Sequence, residues 1–63
     1  ERLGKNLKRI RESKDISQGE IGRILDVDKG FISNIEAGKT NPTLATIAKL
    51  AKAVGVSVGE LMK

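Results

Sequence analysis

Leu3, Leu7 and Ile10 recur three to four residues apart, the spacing that gathers side chains on one face of an α-helix. Residues 2–14 are therefore predicted to form a first amphipathic helix. Ser17-Gln18-Gly19-Glu20 comes next, and it has the form of a capping box. In that motif Ser17 accepts from a first-turn amide and Glu20 reaches back to the Ser17 amide. Ile16 and Ile21 flank it at hydrophobic-staple positions, and Ile21, Ile24 and Leu25 continue as an apolar stripe, which predicts a helix over 18–25. Asp28 is the next candidate N-cap, and Val27 with Ile32 repeats the staple spacing. That third helix is predicted over 29–37, because Gly38 suits the left-handed position just past a helix end.

Asn41-Pro42-Thr43 then breaks the chain, with Thr43 as the N-cap of a fourth helix over 44–54. Leu44, Ile47, Leu50, Ala51 and Val54 make its stripe, and Gly55 stops it. Ser57-Val58-Gly59-Glu60 is a second capping box, stapled by Val56 and Leu61, and it starts a fifth helix over 58–62. Val54–Val58 alternates weakly, but Gly55 and the capping box favour a turn over a strand. There is no linker, low-complexity tract or repeat. The pattern predicts one all-α domain over residues 1–63, with every connection about two to five residues long.

Composition narrows the chemistry. Sixty-three residues make one small domain at most, and such a chain buries only about 60% of its unfolded surface. His, Cys, Trp and Tyr are all missing, and Phe31 is the single aromatic. Zinc sites, thiol chemistry and histidine acid–base catalysis lack their usual residues. No disulfide is possible, so nothing implies an oxidising compartment. Aromatic platforms for single strands or drug-sized ligands are missing too. No apolar run approaches the roughly 20 residues that span a membrane, and no signal peptide stands out. The net charge is +4, and residues 1–14 carry all of it, with six basic side chains against two acids. The expectation is a soluble, mildly basic, cytoplasmic domain that is not an enzyme and holds no metal or cofactor. The chain starts without Met and stops at Lys63, which predicts a piece of a longer protein.

Weak patterns fall away on inspection. Gly19-Glu20-Ile21-Gly22 has the form of a GxxG loop but lies inside a capped helix. Asp26-Val27-Asp28 begins like a calcium loop, yet the later ligands are missing. No Ser has a basic partner at motif spacing.

Helices two and three are joined by very few residues around Asp26-Val27. So short a connection forces a steep crossing, as in a helix-turn-helix. Ile21, Leu25, Val27, Ile32 and Ile35 are apolar where the pair must pack, and Gly22 is small where the helices cross. Ser17-Gln18-Gly19-Glu20-Ile21-Gly22 resembles the Ser-Gln-x-x-Leu-Ala opening of the Xre/Cro/C1-type family of phage and bacterial repressor domains. Phe31 to Lys39 with Asn41-Pro42-Thr43 is similar to the family's Ile-Ser-x-(Ile/Trp)-Glu-x-Gly stretch and the Asn-Pro after it. Leu50-Ala51-Lys52-Ala53-Val54-Gly55-Val56-Ser57 resembles its closing Leu-Ala-x-Ala-Leu-Gly-Val-Ser. The resemblance covers nearly the whole chain and implies a five-helix, lambda-repressor-like DNA-binding domain. Asp15 and Asp26 depart from it, standing at turn positions where the family usually has Gly.

Setting Lys29 at zero and stepping about 100° per residue puts Ser33 near 40°, Gly30 near 100° and Asn34 near 140°. Ile35 and Ile32 fall near 240° and 300°, so helix three has one polar and one apolar side. The resemblance implies base contacts by Lys29, Gly30, Ser33 and Asn34. Lys29 suits guanine O6/N7, Asn34 suits adenine N6/N7, and Gly30 permits close approach. A solvated polar face is the alternative. Phe31, at the edge of the apolar side, is open to core packing or to a thymine methyl.

Gln18 resembles the family's phosphate-binding glutamine at a helix N-terminus, where free amides and the dipole suit phosphate. An ordinary exposed first-turn residue is its alternative. Lys39, Thr40 and Asn41 follow the recognition helix, where the family contacts backbone again, and a mobile polar loop competes with that role for Thr40. Arg11 and Glu36 resemble a family ion pair, against two unrelated surface charges. Lys5, Lys8, Arg9 and Lys14 are either solvated or in part on phosphate. Val56, Val58, Leu61 and Met62 exceed what one short closing helix needs, and a weak dimer contact is expected there.

The implied partner is duplex DNA with a pseudo-palindromic operator, bound in the cytoplasm, at the nucleoid, by a homodimer of a bacterial, archaeal or phage-encoded protein. The activity expected is transcriptional regulation, in the simplest case repression. The rival is a protein-interaction, antitoxin or enzyme-appended domain of the same fold with little DNA binding; the neutrality of residues 15–63 favours it, and the open polar face of helix three favours DNA.

Overall fold

The computed structural model describes residues 2–63. α1 spans Arg2–Ser13, α2 Gln18–Leu25, α3 Lys29–Glu36, α4 Leu44–Val54 and α5 Val58–Met62, with no strand among the described residues. α1 stops one residue earlier than its periodicity predicts. Asp15 turns left-handed at φ 56°, and the Ile16 N–H donates to the Arg11 carbonyl at 3.1 Å, which closes the helix at Ser13. α3 likewise ends at Glu36, with Ala37 as its C-cap and Gly38 at φ 75° behind it. The α3–α4 connection runs from Ala37 to Thr43, longer than expected; the other connections are short.

The helix starts follow the local chemistry. Ser17 Oγ accepts from the Glu20 N–H at 3.1 Å, and Glu20 Oε1 accepts from the Ser17 N–H at 3.0 Å. Ser57 and Glu60 repeat the exchange at 3.1 and 3.4 Å, and Thr43 Oγ1 accepts from the Thr46 N–H. Each such cap contributes about 1 kcal/mol. Asp28 is different: its backbone is extended as an N-cap should be, but its side chain makes no capping bond.

Leu7, Ile21, Ile32, Ile35, Leu50, Val54 and Leu61 are fully buried in a single core that all five helices share. Three expected core positions face solvent instead. Ile24 is 62% and Leu44 72% exposed, and Val27 is exposed as well. The covered flanks of α2 and α4 are narrower than the periodicity allows. Leu61 corrects the sequence reading in the opposite sense. Expected at a dimer contact, it is fully buried in its own chain, and α1 lies over it, where the Asn6 amide donates to the Leu61 carbonyl at 2.9 Å.

Two glycines allow the helices to meet. A Cβ on Gly22 would lie 2.8 Å from the Val27 carbonyl oxygen, so α2 and the start of α3 touch backbone to backbone. A Cβ on Gly4 would strike the Ile35 carbonyl and lie 2.8 Å from that of Glu36. Gly4 thereby seats α1 against the end of α3.

Candidate nucleic-acid interface

The α2–α3 turn sets the site. Asp26 takes φ 60° and ψ 47°, the left-handed conformation, and the Val27 N–H donates to the Gly22 carbonyl at 2.8 Å. The chain thus reverses within three residues, and α3 emerges with Ile32 and Ile35 in the core. Lys29, Gly30, Ser33 and Asn34 are all exposed on its other side. A Cβ at Gly30 would meet nothing within 4 Å, so the open space there belongs to whatever docks. Phe31 is half-buried and packs on the core, which is the first of its two roles.

Arg11 and Glu36 form the ion pair. Arg11 Nε donates to Glu36 Oε2 at 2.7 Å, and Nη2 donates to Oε1 at 3.1 Å. The two side chains are 10% and 3% exposed. Arg11 Nη1 also donates to the Ile16 carbonyl at 2.7 Å, holding the segment that leads into α2. The Glu36 hydrogen bond raises the Arg11 pKa above its ordinary value against the opposing effect of burial, aided by the charges of Glu36 and Glu12.

The sequence carried no sign of the third member. Gln18 Nε2 donates to Glu36 Oε1 at 2.9 Å, so this carboxylate bridges α1 and the start of α2. The Gln18 amide is therefore held in place. Its second N–H and its oxygen are additional hydrogen-bonding groups, at a helix start whose first amides also point outward.

Past α3, the Lys39 N–H donates to the Asn34 carbonyl at 2.9 Å, which curls the loop back on the helix. Lys39 and Asn41 are exposed and Thr40 half-buried. Start of α2, polar side of α3 and following loop are thus linked through Glu36 and Asn34. Among the described residues no group of acids could hold a metal ion, and no helix is long and apolar enough to cross a membrane.

The helix-turn-helix family model matches residues 7–61. The chain belongs to this family, the Xre/Cro/C1-type helix-turn-helix proteins. This helix-turn-helix protein is 36% identical over 61 residues to the control protein C.MunI of Mycoplasma sp., covering 95% of this chain and 82% of that one. It is 37% identical to the uncharacterized HTH-type transcriptional regulator y4dJ of Sinorhizobium fredii, over 95% of this chain and 78% of the relative. Among solved structures, the restriction-modification controller protein C.AhdI from Aeromonas hydrophila superposes with a TM-score of 0.90. That pair is 30% identical, over 95% and 91% of the two chains. The helix-turn-helix chain is accordingly a DNA-binding transcriptional regulator and not an enzyme.

Proposed function

We propose that this domain reads a specific duplex sequence through the major groove and represses transcription as a homodimer on a pseudo-palindromic operator. The observation that carries the proposal is the division of α3. Ile32 and Ile35 anchor it, while Lys29, Gly30, Ser33 and Asn34 present a donor-rich face with open space at its centre. A helix so divided can lie in the groove with its first turns at the base edges. Gln18, Lys39, Thr40 and Asn41 take the flanking phosphates and fix the register. The dimer contact uses Val56, Val58 and Met62, of which Met62 is the most exposed. The domain acts in the cytoplasm, on the nucleoid.

Selection of bound duplexes from a random-sequence library tests the proposal. A two-fold symmetric motif is expected, with affinity that falls steeply as salt rises. Recovery of no enriched sequence would favour the rival, a protein-interaction domain that kept the fold.

A further inference from the structure

Residues 2–14 hold six cations, and on a DNA-binding domain such a cluster invites treatment as one basic patch. The structure separates them. Arg11 is committed to Glu36 and the Ile16 carbonyl. Arg2 donates to the Lys63 carbonyl at 3.3 Å. Arg9 and Lys14 line a cleft with Gly55, Val56 and Glu60, between α1 and the start of α5. Lys5 and Lys8 remain.

Position around α1 divides these two. With Leu7 at zero and about 100° per residue, Arg11 falls near 40°, Gly4 near 60°, Lys8 near 100° and Lys5 near 160°. Gly4 and Arg11 both touch the end of α3, through the Ile35 and Glu36 carbonyls and the Glu36 carboxylate. Lys8 lies between them in sequence and next outward on the same flank, and its side chain is exposed. It therefore stands beside the C-terminal end of α3, whose dipole favours a cation, where the loop carrying Lys39 leaves. Glu12, one turn further along α1 and exposed, is the acid in reach. A lysine preceding its glutamate is the weaker order for such a pair.

We infer that Lys8 is a DNA-backbone contact, the cation through which α1 joins Gln18, Lys39 and the recognition helix, while Arg2, Arg9 and Lys14 are turned to the α5 side and Lys5 lies further round α1 from α3. The inference rests on the DNA-binding proposal and adds α1 to its interface. One phosphate contact has a measurable signature. Each neutralised phosphate contributes about 0.9 to the slope of log affinity against log salt on duplex DNA.

The experiment measures that slope on a duplex recovered from the random library, for the wild type and for Lys8→Ala, Lys8→Arg, Lys5→Ala, Arg9→Ala and Lys14→Ala. Lys8→Ala is expected to lower the slope by about 0.9, with Lys8→Arg restoring it and the other three close to wild type. All four positions are exposed, and an unchanged melting temperature confirms that each variant is folded. A Lys8→Ala slope equal to wild type overturns the assignment. So does an equal drop in all four alanine variants, which would mean a diffuse field with no discrete contact. A wild type that binds no duplex overturns the DNA-binding proposal itself, and this inference with it.

Discussion

Glu36 accepts three hydrogen bonds, two from Arg11 and one from Gln18, while almost wholly out of water. At the scale of single residues this carboxylate is the most vulnerable point. Removing either charge leaves the other buried and uncompensated, at a cost of about 3–5 kcal/mol. Denaturation of Arg11→Ala, Glu36→Ala and the double variant checks this, and strictly additive losses would exclude the coupling. Since the folded pKa of Arg11 is raised, its contribution is fully present below the ordinary arginine value and is lost only as pH climbs through the higher folded one. Changing the pH around neutrality should therefore leave the Arg11 contribution untouched. The exposed α3 residues behave differently. Lys29→Ala and Asn34→Ala should each cost about 1–3 kcal/mol on the selected site and relax preference at one or two positions. Gln18→Ala should weaken all sequences alike. Binding logos for the three variants separate these outcomes, and an unchanged logo for Lys29→Ala and Asn34→Ala would remove both from base reading.

At the scale of elements, the α2–α3 turn carries two opposite sensitivities. Asp26 holds a left-handed conformation that strains a side chain with a Cβ. Its carboxylate makes no hydrogen bond among the described residues and sits at the carbonyl end of α2, the unfavourable end for an anion. Asp26→Gly is expected to stabilise the domain by about 0.5–1 kcal/mol, despite the greater unfolded-state freedom of glycine. Gly22→Ala, four residues earlier, should destabilise by about 1–3 kcal/mol, because the added methyl meets the Val27 carbonyl. Urea midpoints for the pair decide it: a fall for Asp26→Gly would mean that the carboxylate offsets its own strain in solution.

The whole molecule measures 24 × 23 × 19 Å. Operator half-sites read by such domains lie about 34 Å apart, one turn of DNA, which is further than one copy reaches. The proposed two-fold operator therefore calls for two copies, and little apolar surface is left on α5 to join them. With Leu61 in the core, Met62 is the exposed apolar residue of α5, and Val56 and Val58 are half-covered by their own chain. The free chain should therefore be monomeric at micromolar concentration and pair on its site. Sedimentation with and without the selected duplex checks this, and a tight dimer without DNA would contradict it.

Helix starts and stops were written locally. Both capping boxes, the Thr43 cap, the left-handed Gly38 and Gly55, and the turn at Asp26 all involve groups within five residues of one another. Local backbone geometry alone brings such groups into contact, so a linear reading suffices to find them. The split of α3 into a core side and a polar side was equally legible, since periodicity alone sets it. Periodicity does not say how wide a covered flank will be. Ile24 and Leu44 lie on apolar stripes yet face solvent, while Leu61 disappears beneath α1. Nor did spacing predict that Gln18 would join Arg11 and Glu36. Those outcomes depend on how helices far apart in sequence cross, and the crossings are set by backbone contact at Gly4 and Gly22. Local sequence determined the helices and their two-sided character; only the packing of α1 across the end of α3 decided which polar groups share a site.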